Sequence, residues 1–275
     1  MKKLIKNLYR TYGAWLYPLF GRRPWKLGYV PHKFSAIRRA IKEGILNTDT
    51  LPASYGLRLD ERIIEYPWFF SRLPASEGVL LDAGSVLNYE FLLCQPALRN
   101  KRVFISTLAP ESECCWNKGI SYVYEDLRDS CFREDYFDWV VSLSTIEHIG
   151  LDNTMLYTQD EAKRENDNDA YLAAINEFRR VLKPGGSLFL SMPYGRHSNH
   201  GWFQIFNAEM VDRIIQAFAP AEYRESHFRY QADGWVVSDR EQSADATYFD
   251  IHTRKHYDAD FAAASRAVVC LELRK

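Results

Sequence analysis

The chain has 275 residues, of which 47% are hydrophobic and 15% aromatic, enough for one elaborated α/β domain or two smaller ones. The formal net charge of −1 hides an asymmetry: the first 42 residues hold eleven Lys or Arg and no Asp or Glu, which leaves −12 on the rest. No apolar run approaches the roughly 20 residues that span a bilayer, and the acidic body argues against a nucleic-acid-tracking surface. Five cysteines without zinc or CxxC spacing point to reduced thiols and a cytoplasmic protein.

Residues 1–20 place Leu4, Ile5, Leu8, Trp15, Leu16 and Leu19 at roughly helical spacing, with Lys2, Lys3, Lys6 and Arg10 as a cationic face. The segment reads either as an interfacial helix in peripheral contact with an anionic membrane or as a helix packed on the body. Lys6 and Arg10 interrupt any signal-peptide core, and Gly13 and Pro18 break the helix early. Residues 33–45 predict a second basic helix, and 59–72 a strongly aromatic one. These form an N-terminal helical extension, 1–76, ahead of a main domain at 77–275.

From Glu77 strands and helices alternate. Strands are expected at 78–82, 102–107, 120–125, 138–143 and 187–192, with helices at about 88–98, 170–182 and 207–218. Asn207 reads as the cap of the last helix. Two further strands, 223–230 and 267–273, have no long helix between them. The pattern predicts an α/β fold with a doubly wound, mostly parallel sheet and an antiparallel edge hairpin. In such sheets ligands sit beyond the carboxyl ends of the strands.

Polar residues gather at those ends. The first strand runs into Asp82-Ala83-Gly84-Ser85, the third into Asp126-Leu127, and the fourth into Ser144-Thr145-Ile146-Glu147-His148. After the fifth come Arg196, His197, His200, Trp202 and Phe203, which read as a substrate-facing loop with His197, His200 and Trp202 as contacts. The His-x-x-His pair lacks a third ligand, so no metal site is expected. A nicotinamide-dependent dehydrogenase fits poorly, because GxGxxG is absent after the first strand.

The order LLDAGS, EDLRDSCFREDYFDWVVSLSTIEHIG and EFRRVLKPGGSLFLSMP resembles class I S-adenosylmethionine-dependent methyltransferases, in the branch with a type 11-like domain. The resemblance covers about residues 77–218 and implies a seven-stranded Rossmann-like sheet and S-adenosylmethionine as cofactor. It places Asp82, Gly84 and Ser85 at the methionine end, Thr107 near the ribose, Asp126 and Leu127 at the adenine, and Ser144 beside the sulfonium. Glu147 and His148 match the acceptor side, with His148 suited to take a hydroxyl proton. The expected acceptor is a small, glycan-linked or lipid-linked molecule, methylated at oxygen. Two departures stand out: Val86 and Asn88 replace glycines of the usual loop, and no acidic residue ends the second strand. They support the alternative of an inactive binding or scaffolding domain.

Overall fold

The computed structural model describes residues 9, 12–47, 50–158, 160–251, 253–254 and 256–275. In chain order it forms α1 (Tyr29–Glu43), α2 (Arg62–Arg72), β1 (Gly78–Ala83), α3 (Glu90–Leu93), β2 (Lys101–Thr107), β3 (Ser121–Tyr124), β4 (Phe137–Leu143), α4 (Thr154–Tyr157), α5 (Tyr171–Val181), β5 (Leu182–Pro193), β6 (Ser198–Asn199), β7 (Gln204–Ile205), α6 (Ala208–Phe218), β8 (Glu222–Gln231), β9 (Gly234–Ser238) and β10 (Ala267–Arg274). Among the described residues no helix is long and apolar enough to cross a membrane. The amphipathic pattern read over residues 1–20 falls partly on positions 1–8, 10 and 11, outside the described residues.

The chain divides into two compact units, Met1–Arg72 with His227–Val268, and Leu73–Ser226 with Val269–Lys275. In the second unit the strands lie in the order β3-β2-β1-β4-β5-β10-β8. β3, β2, β1, β4 and β5 are mutually parallel. The end of β10 meets β5 at its start, with Gly185 N donating to Lys275 O and Lys275 N donating to Gly186 O, both at 2.9 Å. The doubly wound, mostly parallel sheet with antiparallel C-terminal strands is therefore present as expected. Successive crossovers run one way from β1 and the other way from β4, so the topological switch lies between those two neighbours.

One face of this sheet carries Leu81, Val140, Leu188 and Leu190, covered by α5 and α6. Tyr171, Ala174, Ile175, Phe178 and Val181 recur at helical spacing and form the buried stripe of α5. Asn207 caps α6, its side chain accepting from Met210 N at 3.0 Å. Three elements differ from expectation. β9 forms between the two late strands, where no strand was expected, and makes the antiparallel hairpin with β8. The helix expected over 88–98 shrinks to α3, because Tyr89 is extended and Pro96 opens a separate 3₁₀ turn. The fifth strand starts at Leu182, straight from α5, and includes Lys183-Pro184-Gly185-Gly186, with Gly185 in the left-handed region at φ +79°.

The first unit is organised around buried charge. Asp60 accepts from Tyr29 Oη at 3.0 Å and from Lys33 Nζ at 2.6 Å. Glu61 accepts from Ser265 N at 3.2 Å. The indole of Trp235 in β9 donates to Leu59 O at 3.0 Å. Burial, then the negative fields of Asp60 and Glu65, push the Glu61 carboxyl up to about 8. The folded chain therefore keeps this proton where the unfolded chain has lost it. The stability it contributes is complete below about pH 4.5 and falls as pH rises towards about 8. Urea unfolding across that window should show declining stability for the wild type. The decline should be shallower for Glu61→Gln, which keeps an acceptor for Ser265 N without the ionisable proton.

Candidate active site

All the residues singled out from the sequence as site candidates belong to the second unit. The loop after β1 is built on Asp82. Its carboxylate is fully buried and accepts from Val86 N at 3.0 Å and Leu87 N at 2.8 Å. The side chain that resemblance puts at the cofactor's methionine end thus also closes the loop. Val86, which the resemblance sets in place of an expected glycine, is buried. Gly84 sits at φ +118°, and a Cβ there would lie 2.4 Å from Thr145 Oγ1. The missing side chain lets the β1 loop rest directly on the turn that follows β4.

Ser85 and Ser144 flank this contact, both in the left-handed region at φ +59° and +40°. Left-handed non-glycine residues are strained and gather at functional sites. Ser144 N is held by Ser191 O at 2.9 Å. Ser85 Oγ is buried with no hydrogen-bond partner among the described residues. A buried hydroxyl in that state costs about 1–3 kcal/mol, which a polar ligand at the strand ends would recover. Asn88 leaves the same loop, accepting from Tyr122 Oη at 2.8 Å and donating to Glu113 O at 3.0 Å.

Beyond β2 and β3, Thr107 is buried and its carbonyl accepts from Glu125 N at 3.0 Å. Glu125 accepts from Ser106 Oγ and Ser130 Oγ, both at 2.9 Å, and from Cys131 N at 2.8 Å, which shapes the turn that carries Asp126. Asp126 takes Arg128 in a forked pair, with Nη2 at 2.6 Å and Nε at 3.0 Å. Burial raises the Asp126 carboxyl, and the Arg128 guanidinium more than offsets this, holding it below the usual range. The other edge of Arg128 grips Glu165 at 2.7 and 2.8 Å. Leu127 packs half-buried against the core.

After β4, Glu147 is 3% exposed and its Oε1 lies 3.9 Å from His148 Nε2. His148 Nδ1 is 2.9 Å from Trp202 O. A carbonyl only accepts, so neutral His148 carries its proton on Nδ1 and leaves Nε2 as the basic atom. The imidazole stacks on Trp202 with ring centres 5.1 Å apart. Asn153 donates to His148 O at 2.5 Å, while its own Oδ1 is buried without a partner among the described residues. Tyr157 in α4 has its phenol raised by burial and then by the fields of Glu111 and Glu147.

The fold therefore brings Gly84 to the Ser144–Thr145 turn, and His148, beside Glu147, to Trp202. It holds His197 and His200 differently. His197 is exposed, with Nδ1 2.9 Å from Ile205 O across the β6–β7 hairpin. His200 stacks on Phe203 at 4.4 Å and pairs with Ser198 Oγ at 3.0 Å. Arg128 and Glu165 escaped the sequence reading. The spacing of Asp126 and Arg128 carried a local signal, since Arg128 N also bonds Asp126 Oδ1 at 2.9 Å in an Asx turn. Nothing local marks Glu165.

Residues 97–190 match the model of a methyltransferase domain. Over that segment the chain is similar to a methyltransferase domain. The matched segment takes in β2 to β4 and most of β5, with Asp126, Ser144, Glu147 and His148, and starts after the Asp82–Ser85 loop. No curated protein matches the chain. Similar solved structures include a Burkholderia thailandensis 1,6-didemethyltoxoflavin-N1-methyltransferase with bound 1,6-didemethyltoxoflavin and S-adenosylhomocysteine (15% identity, TM-score 0.43, 72% of this chain and 71% of that chain). A SAM-dependent methyltransferase from Thermotoga maritima is similar over 73% of this chain and 83% of its own (15% identity, TM-score 0.43). So is the [4+2]-cyclase SpnF (18% identity, TM-score 0.42, 73% of this chain and 75% of that chain).

The contact of Gly84 on Thr145 makes a sharp expectation for stability. Gly84→Ala should lower stability by about 1–3 kcal/mol, from backbone strain alone, and more from the clash. Thr145→Ala in the same chain should restore only the clash part. Urea unfolding of the two single variants and the double variant separates the contributions.

Proposed function

We propose that the chain transfers a methyl group from S-adenosylmethionine to an oxygen of a small, glycan-linked or lipid-linked acceptor. The observation that carries the reading is the switch point itself. There the Gly84 loop rests on the turn that leads into Glu147 and His148, inside or beside the segment that matches the methyltransferase domain.

The donor set suits the cofactor. Ser85 Oγ offers an unspent polar atom at the methionine end, Asp126 an anionic acceptor at the adenine end, and Leu127 an apolar neighbour. Gly84, Asp82, Thr107 and Ser144 complete the holding set. S-adenosylmethionine, when bound, supplies an electrophilic methyl carbon on a sulfonium whose leaving group is a neutral thioether. The protein's work is then alignment and proton handling. His148 Nε2 accepts the proton of an acceptor hydroxyl while Trp202 O holds Nδ1–H. The Glu147 carboxylate, 3.9 Å away, stabilises the imidazolium that results. Asn153 Oδ1 and the Trp202 ring orient the acceptor, with His197 and His200 reached only by its outlying parts.

One observation favours the second reading, a binding domain without turnover: the Asp126 carboxylate is already engaged by Arg128. Calorimetry with S-adenosylmethionine and S-adenosylhomocysteine separates the two. We expect both to bind; failure of both at millimolar ligand rejects the methyltransferase reading for this chain. Asp126→Ala should weaken S-adenosylhomocysteine binding by about tenfold, as loss of a charged hydrogen bond does. His148→Ala should leave that binding intact. It should lower label transfer from methyl-tritiated S-adenosylmethionine to small-molecule and lipid extracts by about 10²–10⁴-fold. Full transfer by His148→Ala would remove the general-base role.

A further inference from the structure

The first unit carries a surface unconnected with this chemistry. The turns of helix at Gly13–Trp15 and Leu16–Leu19 lie on the start of α1. Gly28 makes the contact possible, since a Cβ there would fall 2.4 Å from Tyr17 N and 2.8 Å from Gly13 O. Tyr17 is the inward residue, stacked on His32 at 4.6 Å and edge-on to Tyr29 at 5.8 Å. Helical spacing then turns its neighbours outward. Trp15 is 80% exposed, Leu19 78% and Tyr12 63%. Phe20 is exposed beside them, and Leu27 and Val30 on either side of Gly28. Arg22, Arg23 and Lys26 are exposed within the same stretch.

Large apolar side chains left in water are costly at about 25 cal/mol per Å², and a cluster with a basic rim marks an interaction surface. Charge selects the occupant. The first acidic residue of the sequence is Glu43, so the stretch from Tyr12 to Val30 has no negative charge of its own. A second copy placed face to face would set like charges against each other. Leu19, Leu27 and Val30 offer aliphatic bulk suited to acyl chains, and Trp15 and Tyr12 have the amphipathic rings that settle at a headgroup boundary.

We infer that this surface docks the protein on an anionic lipid bilayer, with Trp15 and Leu19 inserted and Arg22, Arg23 and Lys26 on the headgroups. Each basic residue near such a surface strengthens binding by about fivefold, an effect that salt screens. The test is co-sedimentation of the full chain with vesicles of phosphatidylcholine, with and without phosphatidylserine. Binding should require phosphatidylserine and weaken with salt. Trp15→Ser with Leu19→Ser should weaken it by about tenfold or more. Arg22→Gln, Arg23→Gln and Lys26→Gln together should weaken it further than any one of them and flatten the salt dependence. A thermal melt followed by circular dichroism checks that each variant is folded. The triple Gln variant tests the surface even where the serine pair does not fold. Absence of binding to phosphatidylserine vesicles overturns the inference, as does equal pelleting of the wild type and the folded variants. Concentration-dependent association in the ultracentrifuge that the serine pair abolishes would assign the face to a second copy instead.

Discussion

The approach of Gly84 to Thr145 is the constraint on which the rest of the candidate site depends. β1 and β4 are hydrogen-bonded neighbours, so their carboxyl ends emerge side by side. Side-by-side ends ordinarily carry loops that diverge. Here one loop lacks a side chain at the point of contact, and the other places Thr145 into that space. The consequence is local strain on both sides, at Ser85 and Ser144, held in place by Gly84 N on Ser106 O and Ser144 N on Ser191 O, both 2.9 Å. Strain of this kind persists only where the surroundings over-determine it. Four parallel strands contribute to doing so.

A second theme is the double use of carboxylates. A buried carboxylate is expensive unless hydrogen bonds satisfy it. Asp82 is satisfied by two loop amides, Glu125 by two hydroxyls and an amide, and Asp126 by a guanidinium. In the β1 loop this explains how Val86 is accommodated at a position where the resemblance leads to an expected glycine. The turn is drawn closed by Asp82 rather than granted by backbone freedom, and the Val86 side chain is buried instead of left in the crevice. The same logic gives Arg128 its place. By holding Asp126 and Glu165 at once, it fastens the polar segment between α4 and α5 to the end of β3.

How much of this was legible in the sequence follows from the range of the forces involved. The α5 stripe, the Asn207 cap and the apolar strands depend on neighbours a few residues away, and their spacing predicts them. The short α3 was legible in part: Pro96 stood inside the expected helix and should have shortened it. What pulls Asn88 out of that helix, the bond from Tyr122 Oη, spans 34 positions and leaves no local trace. The grouping of His227–Val268 with the N-terminal segment is equally silent, because it rests on contacts such as Trp235 N to Tyr55 O at 2.8 Å. Motif order marks Glu147 and His148; the bond of His148 Nδ1 to Trp202 O has no sequence signature, since the partner is a backbone carbonyl.

That carbonyl matters for how the acceptor side works as a piece. His148 is tied three ways: Nδ1 to Trp202 O, its own carbonyl to Asn153 Nδ2, and its ring face to the Trp202 indole. The backbone adds a fourth link, Asp152 N to Gly201 O at 3.0 Å. The strand-end turn, the segment that starts α4 and the β6–β7 hairpin are thus one mechanical unit, although more than 50 residues separate His148 from Trp202. In the proposed reaction the Trp202 carbonyl, by holding Nδ1–H, favours the tautomer with Nε2 as the basic atom. Any motion of the hairpin that admits an acceptor also loosens Nδ1–H, so in the proposed reaction acceptor seating and base readiness are coupled through a single hydrogen bond.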